Sequence, residues 1–414
     1  MSTLAKYMEE QKDKYMEAVR SNQGSKWTVA MGNEAGDLDS LASATAFAWY
    51  RSAVENIPTV SLCQTPRSEL RLRAENLHAL ELAGFDPSNP SILCIDELPI
   101  TSPFPSTSFA LVDHNHLLPR FSHDNPEARV VAVIDHHEDE GFHRETAEPR
   151  IVTVPAGSAS SLVAQFLQSR CGDQLPSELA MLLLCGVLID TDGLKPRGKA
   201  EEVDRAAAAY LVSRCELATA SLGHTDLHQI PEVKSLTSTL SAKKSDVSQL
   251  NTIDLLRRDY KEYSMTPATA QDLTILVGLA TIPIGLKSWF KRDGDFWSST
   301  EQFMDDRGLA VLGILTSFRD EASAEKGKHR REQLYLVREG LVEGLGEHLF
   351  HGLKHAKVLD LKKRHLRDDY GTTKHNVPTS LQFKVWEQGN VQATRKVTAP
   401  LVKSIIESKA DATT

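Results

Sequence analysis

Aromatic residues make up only 6% of this 414-residue chain, and cysteine is scarcer still, with five scattered thiols and no CxxC pair. So few and so irregularly spaced cysteines exclude a zinc ribbon and a disulfide scaffold, and imply free thiols in a reducing compartment. Long apolar stretches are also missing. The longest, Leu179 to Ile189, has eleven residues, against the roughly 18 that a membrane-spanning helix needs. The first twenty residues mix Lys and Arg with Asp and Glu around no apolar core. That excludes a secretory leader and a transit peptide, and the expectation is a cytoplasmic protein with no membrane partner. With 41% hydrophobic and 25% charged residues, the composition is globular and the length suits two or three domains.

Positive charge is in deficit overall, with a net charge of −9, which argues against generic nucleic-acid binding. Its distribution is uneven. Residues 351–400 hold ten Lys and Arg against four Asp and Glu. A basic island in an acidic chain suits a gripped linear polyanion, the alternative being a merely solvated face. Its densest part is Lys362-Lys363-Arg364-His365-Leu366-Arg367, followed by Lys374 and His375.

Against these absences stands a regular alternation. Apolar runs at 27–32, 59–64, 91–96, 109–114 and 130–136 are continuous, as expected of parallel strands covered on both faces. Helical patterns occupy 41–56, 68–84, 158–170, 177–190 and 201–215. The expectation is an α/β domain over residues 1–225 with a mainly parallel sheet, whose ligands gather at the carboxyl ends of the strands. Residues 226–250, rich in Ser, Thr and Lys, are expected to be a linker with some helix. A second, smaller α/β domain follows over 251–414, with strands at 274–284, 333–337 and 381–388 and a charged helix near 319–331.

Acidic and imidazole side chains fall where the first-domain elements end. One strand runs into Asn33, Asp37 and Asp39, another into Asp113, a third into Asp135-His136-His137, and the apolar helix ends at Asp190. Singly these have plain explanations, since Asp at a strand end is commonly a helix N-cap. Together they would repel and raise one another's pKa values unless a cation neutralised them. Carboxylate with imidazole suits Mg²⁺, Mn²⁺ or Co²⁺ better than a structural zinc site. Two such ions about 3.5–4 Å apart, sharing a carboxylate, hold a bridging hydroxide aimed at phosphorus.

These residues resemble the DHH phosphoesterases, named for the triplet found here at Asp135-His136-His137. The family's first motif, His-x-x-x-Asp-x-Asp, corresponds to Asn33-x-x-x-Asp37-x-Asp39, and further motifs to Asp113, Asp190 and the segment 157–163. Arg258-Asp259-Tyr260-Lys261 and Thr394-Arg395-Lys396 are similar to second-domain motifs of the branch that contains family II pyrophosphatases, prune-like proteins and the exopolyphosphatase of yeasts. The resemblance implies a DHH fold, a mixed-sheet second domain and an active site in the interdomain cleft. It implies one metal ion on Asp39, Asp113, His136 and Asp190, and another on Asn33, Asp37 and Asp113. His137, Lys261, Arg395 and Lys396 would face substrate phosphate, and Lys363, Arg364 and His365 would line a channel for a long chain. The implied activity is exopolyphosphatase, attacking the terminal phosphate of inorganic polyphosphate with a metal-bridged hydroxide as a monomer. The alternative is a pyrophosphatase or prune-like short-chain phosphohydrolase. Asn33 stands where pyrophosphatases have His, and the amide predicts a weaker metal ligand tolerant of Mg²⁺.

Overall fold

The computed structural model describes residues 3–99, 102–217, 226–320, 327–366, 370 and 377–408. It divides into two compact units, Met1–Asp246 and Val247–Thr414. Among the described residues no helix is long and apolar enough to cross a membrane.

The first unit is built on a six-stranded sheet, all of whose pairings are parallel. Its strands are β1 (Thr28–Met31), β2 (Thr59–Cys63), β3 (Leu93–Cys94), β4 (Ser108–Val112), β5 (Arg129–Asp135) and β6 (Arg150–Val152), in the order β3-β2-β1-β4-β5-β6. The continuous apolar runs have a physical cause, because every residue of β1 and β2 is buried. Val29, Met31, Phe109 and Leu111 pack on one face with Tyr15 of the helix Thr3–Arg20. Ala30, Ala110, Val112 and Ala132 line the other. These small side chains let the alanine-rich helix Leu38–Trp49 approach the sheet closely.

The helix Ser177–Asp190 is apolar all round because it is buried all round. It packs against the helices Leu38–Trp49, Ala159–Cys171, Glu202–Arg214 and Pro231–Ser245. The last of these falls in the stretch expected as linker. Val233, Leu236 and Leu240 bury one side of it in the first-unit core.

The second unit carries a mixed sheet. Its strands are β7 (Tyr260–Met265), β8 (Ile275–Ile282), β9 (Leu309–Thr316), β10 (Phe318–Asp320), β11 (Lys328–Arg338), β12 (Leu361–Lys363) and β13 (Leu381–Gln388). The order is β12-β13-β11-β9-β8-β7, with β10 paired to β11. Only β8 and β9 run parallel among these pairs. The charged helix expected near 319–331 is corrected here: Phe318–Asp320 and Lys328–Arg338 are antiparallel strands, and residues 321–326 lie outside the described residues. Helix-forming Glu, Ala and Lys made that segment read as helical, yet β11 pairs with both β9 and β13 along its apolar half, and sheet packing outweighs local propensity. One face of the sheet, with Tyr335, Val337 and Trp386, is covered by the helices Leu345–His355 and Arg395–Glu407.

Candidate metal centre

Parallel strands deliver their carboxyl ends to one edge, and the loops there are short. Gly32 follows β1 where a Cβ would come 2.4 Å from that of Ser40, so only glycine lets the loop turn this tightly into the next helix. Asp37 caps that helix, its Oδ1 accepting from the Ser40 amide at 3.0 Å. Asp39, in the first turn, is buried and reaches across to the N-terminus of Ala159–Cys171. There it accepts from Ser158 Oγ and from the amides of Ala159 and Ser160, each at 2.7 Å. A buried carboxylate is stabilised in this position by the helix dipole and charge-assisted hydrogen bonds. This is the role the segment 157–163 plays.

Asp113 ends β4 in a left-handed backbone conformation, φ 61°, uncommon for a residue with a side chain. Its amide still reaches β5, donating to the Ile134 carbonyl at 2.9 Å. The turn aims the buried carboxylate at the neighbouring strand end, with Oδ1 3.2 Å from His136 Nε2 and 3.6 Å from His137 Nδ1. Oδ2 accepts from Ser40 Oγ at 2.6 Å and from the Asn33 side-chain amide at 2.7 Å. His136 Nδ1 lies 3.1 Å from the Ala156 carbonyl, which makes it the N–H donor and leaves Nε2 towards the carboxylates. His136 Nε2 is 3.9 Å from Asp39 Oδ2.

Two overlapping groups could hold a cation. Asp113, His136 and His137 offer ligand atoms within 4.8 Å of one another, as do Asp39, His136 and Asp190. His136 belongs to both. The electrostatics point the same way. Burial, then the nearby Asp37, push the Asp113 carboxyl well above the ordinary carboxylate range. Burial and Asp39 push Asp190 up to about 7, although Lys244 beside it opposes them. For His136, burial alone would favour the neutral ring. The Asp113 hydrogen bond and the charge of Asp39 override it and raise the ring to about 10. Protons are thus held where a metal ion would otherwise balance the charge. Asp190 also ends its helix at the C-terminal pole, the unfavourable one for a carboxylate.

Asn33 is turned differently from a ligand. Its Oδ1 accepts from the Ala35 amide at 2.9 Å, so the face it presents to Asp113 is the NH₂ donor. Asp37 is half-buried beside the two groups without belonging to either. Two supporting residues, Ser40 and Lys244, escaped sequence reasoning, and a third, Asp135, reads in the sequence only as an acid at a strand end. Asp135, fully buried, accepts from Asn115 Nδ2 at 2.6 Å and holds His137 Nδ1 at 2.8 Å. That carboxylate–histidine pairing orients the ring, and the first letter of the DHH triplet was its signal. Ser40 had none. Lys244, whose Nζ lies 4.0 Å from Asp190 Oδ1, sits on the helix expected as linker.

The cationic candidates lie in the second unit. Arg395 opens the C-terminal helix and pairs with Asp259, Nη2 to Oδ1 at 2.7 Å, while its Nη1 donates to the Asp259 carbonyl at 2.8 Å. Lys261 is half-buried on β7, and Lys396 is exposed. Lys363 and His365 are exposed, whereas Arg364 pairs with Glu387. Arg367, Lys374 and His375 lie outside the described residues.

Residues 27–187 match the model of the DHH family N-terminal domain, and residues 238–405 match that of the DHHA2 domain. The chain carries a DHH domain followed by a DHHA2 domain. A relative from Schizosaccharomyces pombe, named "Putative exopolyphosphatase", is 28% identical over 400 residues, 93% of this chain and 92% of that one. "Exopolyphosphatase PRUNE1" from Mus musculus is 26% identical over 391 residues, 92% of this chain and 76% of the relative. The crystal structure of a Methanococcus jannaschii "putative family II inorganic pyrophosphatase" aligns with a TM-score of 0.54 at 17% identity. It covers 92% of this chain and 100% of that one, and shares the fold. The metal-type donor set lies inside the residues matched by the DHH model, apart from Asp190 just beyond it.

Proposed function

We propose that this chain is an exopolyphosphatase that removes the terminal phosphate of inorganic polyphosphate, with a pair of divalent cations in the first unit. The observation that carries the reading is the convergence of Asp39, Asp113, His136, His137 and Asp190 at one sheet edge, with ligand atoms in reach of one another. The names of its relatives support it. In this reading Asp39, Asp113, His136 and Asp190 would hold one ion and Asp37 with Asp113 a second, while Asn33 steadies the Asp113 carboxylate through its N–H. When bound, such ions act as Lewis acids on a phosphoryl oxygen and lower the pKa of water.

The chain's own side chains do the rest. His137, fixed by Asp135, presents its outer nitrogen to substrate. Lys261, Arg395 and Lys396 bind phosphate oxygens, the guanidinium by its fork and the lysines as point charges, and offset the negative charge that grows as the anhydride bond breaks. Asp259 keeps Arg395 in place. A pyrophosphatase or short-chain phosphohydrolase is the competing reading, and both make orthophosphate.

The test is phosphate release from long polyphosphate, tripolyphosphate, pyrophosphate and a dinucleotide, each with Mg²⁺, Mn²⁺ or Co²⁺. Long polyphosphate is expected to be the preferred substrate. Asp113→Ala is expected to lower release by on the order of 10³-fold, the scale of losing a principal electrostatic element of a hydrolytic site. Cleavage of pyrophosphate alone would move the chain to the competing reading, and near-parent turnover by Asp113→Ala would refute the metal assignment.

A further inference from the structure

The two histidines of the metal centre are backed differently. His137 has the Asp135 carboxylate directly behind its ring. His136 has a neutral carbonyl there, the Ala156 oxygen 3.1 Å from Nδ1. The oxygen of residue 156 and the N–H of residue 157 belong to one planar amide, and a hydrogen bond at one end polarises the other. What the Gly157 N–H touches therefore bears on His136.

It touches Asp204. The Gly157 amide donates to Asp204 Oδ2 at 2.8 Å. Asp204 stands in the first turn of the helix Glu202–Arg214 and is fully buried. The fit is close. A Cβ on residue 157 would come 2.7 Å from Asp204 Oδ2 and 2.8 Å from Cγ2 of Thr191, the residue after the donor Asp190. Glycine is what lets the backbone approach the carboxylate this closely.

Helix capping is the plain account of Asp204, and it explains one bond of two. Oδ2 also accepts from the Glu201 amide at 2.8 Å, closing a capping box with the Glu201 side chain. A cap requires no more than that bond. Here the same oxygen is divided between the cap and an amide 47 positions away. Oδ1 is buried without a hydrogen-bond partner, which costs stability that a cap alone does not explain.

We propose that Asp204 is a positioning residue for His136, acting through the Ala156–Gly157 peptide. The carboxylate draws on the Gly157 N–H, and the polarised amide makes the Ala156 oxygen a stronger acceptor. His136 then keeps its proton on Nδ1 and presents Nε2 to a cation. Carboxylates that pair directly with metal-site histidines orient the ring and raise its basicity in the same way. Here one peptide unit stands between. The inference rests on the reading of His136 as a metal ligand, and not on which phosphate chain is cleaved.

The experiment is a double-mutant cycle on the full chain, with Mn²⁺ affinity measured by calorimetric titration of the metal-free protein. Asp204→Asn keeps an acceptor oxygen for both amides and removes the charge. It should weaken Mn²⁺ binding about tenfold, the lower end for a partner behind a metal-site histidine. His136→Ala should weaken it further, and adding Asp204→Asn to that variant should change affinity by less than about twofold, since no ring is left to orient. Glu201→Ala removes the other half of the capping box, and should lower the melting temperature while Mn²⁺ affinity stays at the parent value. Should Asp204→Asn fail to fold, Asp204→Ser, too short to reach Gly157, carries the same expectation. Parent-like affinity in the Asp204 variant would overturn the inference. So would an equal loss with and without His136, or an equal loss in Glu201→Ala. In those cases a weakened His136→Ala leaves the metal assignment standing, whereas parent-like binding by His136→Ala would remove both.

Discussion

In the first unit, Asp39, Asp113 and Asp190 gather around a single imidazole, and Asp113 and Asp190 are pushed towards their protonated forms. In the second, Arg330 and Arg364 both pair with the Glu387 carboxylate, and Arg331 Nε donates to the Val391 carbonyl. The contrast follows from sheet architecture. A parallel sheet ends all its strands at one edge, so short side chains one or two residues past each strand meet without reaching. In the mixed sheet, neighbouring strands begin and end side by side, and only long side chains converge from β11, β13 and the turn after β8. Short acids suit the first geometry and arginines the second. The first unit brings acids together at its sheet edge, and the second pairs arginines with an acid of the neighbouring strand.

The largest effect expected from probing this contrast comes from removing one orienting carboxylate on each side. Asp135 holds His137 in the first unit, and Asp259 holds Arg395 in the second. Asp135→Asn should lower phosphate release by about 10–100-fold, the usual cost of losing the partner that orients a site histidine, and Asp259→Asn by about tenfold. A loss no greater in Asp135→Asn than in Asp259→Asn would erase the contrast.

A second prediction concerns pH. The Asp190 carboxyl rises from an ordinary 3.8 to about 7, so the folded chain holds this proton more tightly than the unfolded chain does. Its contribution to stability is present below pH 3.8 and is lost as pH rises through 7. In metal-free protein, Asp190→Asn should therefore flatten the fall in thermal stability across that window. At pH 8 it should be more stable than the parent by roughly 1–3 kcal/mol, while binding metal less tightly. A variant less stable than the parent at pH 8 would show that the carboxylate is not repelled there.

The smallest effect belongs to Lys244, whose ammonium stands 4.0 Å from Asp190 with 44% of its side chain exposed. It competes weakly with a cation for the same carboxylate. Lys244→Gln should tighten Mn²⁺ binding by roughly two- to fivefold, as expected of a solvent-screened pair. Weaker binding would mean that the lysine orders the site instead.

The legible part of the molecule was the part whose signals are local. Continuous apolar runs located four of the six first-unit strands closely, and their ends carried Asp113 and the Asp135-His136-His137 triplet. β3 shrinks to two residues, and β6, three half-buried residues at an edge, offered no run to read. Asn33 shows why residue type alone is not enough. Whether the amide turns its oxygen or its nitrogen to Asp113 depends on the Ala35 N–H, which only the folded loop aims at it. The helix Pro231–Ser245 was obscured by Ser, Thr and Lys on the faces around Val233, Leu236 and Leu240. The apolar half of β11 read as a strand over 333–337, but its charged first half was obscured, because partners distant in sequence decide its state.

The grip of Asp39 on the start of the helix Ala159–Cys171 has a consequence for the order of events in a growing chain. The bond joins residues 121 positions apart, and contacts of such long range form late because the loop between them must first be closed. During synthesis, Asp39 and Asp113 emerge long before Ser158–Ser160, His136 between them, and Asp190 last of the five donors. A ribosome-bound fragment ending before residue 160 therefore has acids without their fixed geometry. The full donor set is together only once residue 190 has emerged and the loop between Asp39 and Ser160 has closed.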